Sequence, residues 1–119
     1  MDPFDLAVIG GGAAGFMTAI TAAENGVKRI IILEGSSKIM EKVRISGGGR
    51  CNVTNATWIP NELAENYPRG GIRLLESFNR FAAGDVFDWF EKRGLKLKIE
   101  DDLRVFPVSN SSSDVINCL

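Results

Sequence analysis

Four apolar residues in a row, Leu6-Ala7-Val8-Ile9, run into the glycines at positions 10, 11, 12 and 15. A short unbroken apolar run of this kind reads as a strand of a parallel sheet, covered on both faces. From Ala13 to about Asn25 the residues favour or tolerate a helix, and Gly26 supplies its stop. A second apolar run, Ile30-Ile31-Ile32-Leu33, predicts a second buried strand. Strand, glycine turn, helix and strand in that order make a βαβ unit, whose crossover is expected to be right-handed.

Regular patterning then fades. Residues Gly35 to Gly71 are rich in Gly, Ser, Asn and Pro and show no sustained period. A segment of that length without elements of its own is usually functional or disordered. Helical spacing resumes from Arg73 to Phe81, with Leu74, Leu75, Phe78 and Phe81 on one face. Gly84 is expected to break it, and Asp85 to cap a further helix carrying Val86, Phe87, Trp89 and Phe90 as far as Gly94. The strict alternation Leu95-Lys96-Leu97-Lys98-Ile99 predicts a half-buried strand, with Leu103-Arg104-Val105-Phe106 as its hairpin partner. Pro107 predicts that this second strand ends early or lies at an edge. After a polar loop from Ser109 to Ser113, Asp114, Val115, Ile116 and Leu119 read as a helix that meets the chain end within a turn or two. So short a helix has little to bury, which favours a piece of a longer protein over a helix tucked against the core. The expectation is an α/β fold. It comprises a Rossmann-type region over residues 1–94, with an incomplete parallel sheet, and the start of a β-rich insertion over 95–119.

Composition sharpens this picture mainly by exclusion. The 119 residues are 45% hydrophobic and carry a net charge of -1, which offers no footprint for nucleic acid or an anionic membrane. The acidic start and the brevity of the first apolar run give no signal peptide and no membrane span. Cys51 and Cys118 are far apart in sequence and form no CxxC pair, as expected of a chain in the reducing cytoplasm. Histidine is absent, and with it the commonest general base and metal ligand. No catalytic acid or base is identifiable and no metal is expected, so chemistry here calls for a bound cofactor.

Gly10-x-Gly12-x-x-Gly15, between the first strand and the first helix, supplies such a site. Gly10 allows the tight turn, Gly12 lets a pyrophosphate approach the backbone, and Gly15 lets helix and strand pack closely. The phosphates then meet the free N–H groups and positive dipole end of the helix. Glu34 follows the second strand directly, 24 positions after Gly10. That is close to the spacing of about 20 residues expected for a carboxylate that takes the ribose hydroxyls and repels a 2′-phosphate. The pair favours FAD or NAD over NADP.

A second motif, Ser46-Gly47-Gly48-Gly49-Arg50-Cys51-Asn52-Val53-Thr54-Asn55, makes little sense as core. Consecutive glycines followed by short polar residues suit backbone passing close to a ligand. This segment, together with Tyr67-Pro68-Arg69-Gly70-Gly71 and Arg104-Val105-Phe106-Pro107, resembles the BaiN-like family of NAD(P)/FAD-dependent flavoproteins. The resemblance implies the FAD-binding part of a flavin-dependent oxidoreductase, with NAD(P)H as reductant and a small organic molecule as the other substrate. It implies that Gly10, Gly12, Ala13, Ala14 and Gly15 hold the pyrophosphate and Glu34 the ribose. Lys42 would stand near the cofactor, and Ser46, Gly48, Gly49, Arg50, Cys51, Asn52 and Thr54 would line the way to the flavin ring. Family members run roughly three times longer, which makes this segment inactive alone. Two positions depart from the pattern: Met40 stands where many relatives have glycine, and Arg44 where they have an aliphatic residue. Cys51 has no second cysteine nearby, so it reads as a packing or flavin-site residue and not as half of a redox dithiol. Two alternatives stay open: an NAD-binding dehydrogenase or redox-sensing module, and a non-catalytic, self-associating fragment.

Overall fold

The computed structural model describes residues 3–119, so the first two positions of the expected 1–94 region lie outside the described residues. Strand β1 (Leu6–Ile9), helix α1 (Ala13–Glu24) and strand β2 (Ile30–Leu33) form the predicted βαβ unit, with β1 and β2 parallel and Leu6 opposite Ile30. Gly26, at φ +95°, turns the chain out of α1. The strands are not buried on both faces as expected. Side chains alternate between faces along a strand, and only the face bearing Val8 packs on α1, where a Cβ on Gly15 would touch Val8. On the opposite face Ile9 is 78% and Leu33 46% exposed, because among the described residues this sheet has two strands and one covering helix.

The segment expected to lack elements contains several short ones: α2 (Glu41–Ile45), a 3₁₀ turn (Ser46–Gly49), β3 (Thr54–Asn55) and α3 (Pro60–Glu65). They follow from tertiary contacts that no local period encodes. Thr54 and Asn55 become a strand only by pairing with Val105 and Arg104, fifty residues away. Helix α4 (Gly71–Arg80) packs on α3 so closely that a Cβ on Gly71 would overlap the Ala64 carbonyl. Helix α5 (Ala83–Lys92) begins earlier than predicted, since Gly84 lies inside it instead of breaking it. Asp85 sits in the first turn, and its carboxylate accepts a hydrogen bond from the Ala82 N–H at 2.7 Å.

Strands β4 (Leu97–Ile99) and β5 (Arg104–Pro107) form the predicted hairpin, but β5 is the central strand of the order β3-β5-β4. Of the two expectations for Pro107, the strand does end there, but it does not lie at an edge. The proline is tolerated because it closes β5 opposite Leu97, past the last residue paired with the two-residue β3. Helix α6 (Ser112–Cys118) seats Val115, 2% exposed, in the main core with Cys51, Phe90, Leu95, Leu97 and Val105. The hairpin and α6 thus share one core with Cys51 and α5. An ion pair of 2.6 Å from Arg93 to Glu24 ties the end of α5 to the end of α1, with the Arg93 guanidinium stacked on Trp89. Among the described residues no helix is long and apolar enough to cross a membrane.

Candidate functional site

The glycine loop is held from both ends. Gly10 N–H donates to the Leu33 carbonyl at 2.7 Å, which anchors the turn to β2, and its φ of +103° is a left-handed value that glycine adopts freely. A Cβ on Gly15 would overlap the Gly10 carbonyl oxygen, so the predicted close packing is real. A Cβ on Gly12 would meet nothing within 4 Å: the space beside it is open. Gly12 is the N-cap of α1, makes no side-chain cap bond, and has no acidic residue in the turn that follows. The first N–H groups of α1 are thus left for an anion.

Gly11 completes the arrangement. Its N–H donates to Glu34 Oε2 at 2.7 Å, and its carbonyl accepts from the Met40 N–H at 2.8 Å. The other carboxylate oxygen of Glu34 accepts from the Ser36 N–H at 2.9 Å. These donors, Ser36 foremost and then Gly11, hold the Glu34 carboxyl below the usual carboxylate range. It is therefore a fixed negative charge at neutral pH, and its spare lone pairs can take further donors. Met40 adopts the left-handed conformation (φ 59°, ψ 23°) with its side chain 2% exposed. That backbone suits glycine better than methionine, so Met40 holds it at a cost, with its side chain buried.

Gly11, Gly12, Ala13, Glu34, Lys38 and Lys42 border one groove of about 410 Å³. A second, of about 430 Å³ and mostly apolar, runs on past Ala13, Ala14, Ser46, Cys51 and Asn52. Ala13, Lys42 and Val43 line both, so the two adjoin. Among the described residues, neither Lys38 nor Lys42 pairs with a carboxylate. A loop of free N–H groups, a fixed carboxylate, two unpaired ammonium groups and an apolar continuation can accommodate a dinucleotide: ribose, diphosphate and an aromatic ring system.

The structure therefore brings Gly12, Ala13, Ala14, Glu34, Lys42, Ser46, Cys51 and Asn52 to one pair of grooves, while Gly10 and Gly15 shape the loop behind them. It does not bring Arg50 or Thr54 to the groove walls. The Arg50 guanidinium pairs with Glu100 at 2.8 Å and lies 3.8 Å from the centre of the Phe106 ring; Thr54 Oγ1 donates to the Ala83 carbonyl at 3.2 Å. Gly48 and Gly49, both left-handed, form the turn without lining either groove. Cys51 is 6% exposed, and burial pushes its thiol up from the ordinary range, against a smaller opposing effect of the Ser46 hydroxyl. A neutral thiol among apolar groups fits packing better than redox chemistry.

Sequence reasoning passed over Met17, Val43, Val86, Phe90 and Val115 as groove residues. Val86 and Phe90 carry a signal, one helical turn apart on α5, but that spacing also marks ordinary core. Tyr67 packs against Phe78 with the rings tilted at 49°, beside a separate hollow between α3 and α4, away from the glycine loop.

Comparison with known proteins follows the same line. Residues 4–119 match the family described as HI0933-like protein Rossmann domain. The chain is 30% identical over 115 residues to the 3-dehydro-bile acid delta(4,6)-reductase of Clostridium scindens, covering 96% of this chain and 27% of that protein. It is 34% identical over 95 residues to the ribosomal RNA dihydrouridine synthase of Escherichia coli, covering 80% and 23%. With the fumarate reductase (cytochrome) of Shewanella frigidimarina it shares 28% identity over 115 residues, 81% of this chain and 19% of that one. The chain thus spans about a quarter or less of the length of these relatives.

Proposed function

The chain belongs to the HI0933-like Rossmann domain family, and from that premise we propose that it is the FAD-binding portion of a flavin-dependent oxidoreductase. The observation that carries this reading is the uncapped start of α1. Open space beside Gly12 and the fixed Glu34 carboxylate lie on one side of it, and the groove continues past Ser46 and Asn52 on the other. The N–H groups of Ala13 and Ala14 would hold the diphosphate at the helix end, with Lys42 offsetting its charge. Glu34 would accept from the adenosine ribose. The apolar continuation would exclude water from the ring system. Bound FAD supplies two-electron transfer that no side chain here offers.

The relatives bear on the substrate. A delta(4,6)-reductase, a dihydrouridine synthase and a fumarate reductase are each named for hydrogen added across a carbon–carbon double bond. We place this protein in that class: a reductase of an alkene activated by a neighbouring carbonyl, adding hydride to one carbon and a proton to the other. NAD(P)H is the proposed reductant, and the cytoplasm, where it is abundant, the proposed compartment. The net charge of -1 gives no electrostatic case for a phosphate backbone in this chain, and a free small molecule is proposed over a uracil in RNA.

The test is a titration of the purified chain with FAD and, separately, with NAD, followed by flavin fluorescence or calorimetry. Saturable FAD binding without NAD binding is the expected result. Tighter binding of NAD would replace the flavoprotein reading with that of an NAD-binding module.

A further inference from the structure

The hairpin motif from Arg104 to Pro107 has no place in the grooves, yet its contacts converge on the triglycine turn. Gly47, Gly48, Gly49 and Cys51 all hold left-handed backbone angles within five residues. Cys51 is not glycine, so that shape persists only where its surroundings impose it. The surroundings include β4 and β5, beside α5 and α6 in the same core. Phe106, fully buried, lies under Gly47, where a Cβ would come within 2.9 Å of its ring edge. The Arg50 guanidinium stacks on the same ring and pairs with Glu100, just past the end of β4. The Asn52 amide nitrogen faces the carbonyls of Thr54 at 2.8 Å and Val105 at 3.2 Å, and the Val53 N–H donates to Val105 at 2.8 Å. Gly47 and Arg50, which leave the groove wall, and Asn52 and Val53, which line it, are each met by a contact from the hairpin.

We propose that the β4–β5 hairpin positions the triglycine turn for the cofactor, with Phe106 as the seat under Gly47 and Glu100 as the anchor that holds Arg50. The proposal rests on the flavoprotein reading for the identity of the ligand, but not for the coupling between hairpin and turn. Glu100 and Phe106 are positioning residues: they act through Arg50 and Gly47. The Arg50–Glu100 pair is about one-third exposed on each side, so its loss is felt locally more than globally. Arg50, released from Glu100, can leave the ring, and the turn then samples other conformations.

Two measurements on Glu100→Gln test this. Amide hydrogen exchange of the ligand-free chain, read by peptide, is expected to quicken severalfold across residues 46–52 while α1 is unchanged. FAD affinity is expected to fall severalfold, with an altered visible circular dichroism of the bound flavin and an unaltered melting temperature. Glu100→Asp, which keeps the charge, should recover part of both effects. Phe106→Leu should loosen the same peptide. Exchange and affinity equal to those of the parent would overturn the proposal, and so would faster exchange throughout the chain with a lowered melting temperature. If the parent takes up no FAD yet Glu100→Gln still loosens the turn, the coupling stands and the ligand identity fails.

Discussion

Two glycines of one motif do different work, and substitution separates them. At Gly15 a Cβ would overlap the Gly10 carbonyl, so Gly15→Ala must push α1 off β1, a strain of about 3 kcal/mol by the scale of overpacked cores. At Gly12 there is open space, and the backbone (φ -94°, ψ -168°) is one that any residue adopts. Aspartate there can cap α1, which is worth only about a few tenths of a kcal/mol over glycine, while its charge occupies the place of a phosphate. Gly12→Asp is expected to melt no lower than the parent and to bind no FAD; Gly15→Ala is expected to melt well below it. Unchanged FAD affinity in Gly12→Asp would sink the assignment of the loop. Glu34 makes a third case. Its carboxyl is held below its ordinary value of 4.5 by backbone donors, so the folded state prefers the ionised form. The resulting stability is present above pH 4.5 and is lost as pH falls through the lower folded value. Asp5 and Asp102, also lowered, contribute in the same sense, so the comparison must be made against Glu34→Gln. Melting temperatures of parent and variant should diverge at neutral pH and converge as the solution is acidified below pH 4.5; parallel curves would mean the carboxylate does not hold the loop.

At the scale of elements, what was legible in the sequence is what a local pattern encodes. The apolar runs gave β1 and β2 to the residue, and the glycine turn between them gave the groove. Elements whose stability comes from distant partners left no local trace. β3 is a strand because β5 lies beside it, and α2 starts at a left-handed Met40 that no propensity would select. Pro107 shows the limit from the other side. The rule that proline marks an edge is sound for strands with neighbours along their whole length, but here one neighbour is two residues long. The candidate site divides in the same way. Gly12 and Glu34 follow from motif spacing and Lys42 from the family resemblance, whereas Val86, Phe90 and Val115 come from helices that only the tertiary fold sets around the groove. Arg50 was expected to face the cofactor because its motif does; the motif is continuous in sequence, but a turn presents only part of itself to one side.

As a whole, the molecule is drawn out: its extents are 51 × 32 × 27 Å and its radius of gyration is 15.5 Å, against roughly 13.5 Å for a closed domain of this length. The βαβ unit and the body formed by α2, α5, α6 and the three-stranded sheet are linked at few points, among them the Gly11–Met40 hydrogen bond and the Arg93–Glu24 pair. Both grooves lie along that junction: α2 faces the glycine loop and Glu34 across one, and α2, α5 and α6 face α1 across the other. A ligand filling them therefore adds contacts where the chain has fewest, and binds the folded state alone. At a concentration of 100 Kd, such a ligand stabilises by about 2.7 kcal/mol. For a chain of 119 residues each kcal/mol moves the midpoint by about 4 °C. FAD at that level is accordingly expected to raise the melting temperature by about 10 °C. FAD should also slow hydrogen exchange in α1 and in residues 46–53 together, since one ligand touches both sides. Protection confined to α1 would mean that the nucleotide end alone is bound and that the apolar groove serves another purpose.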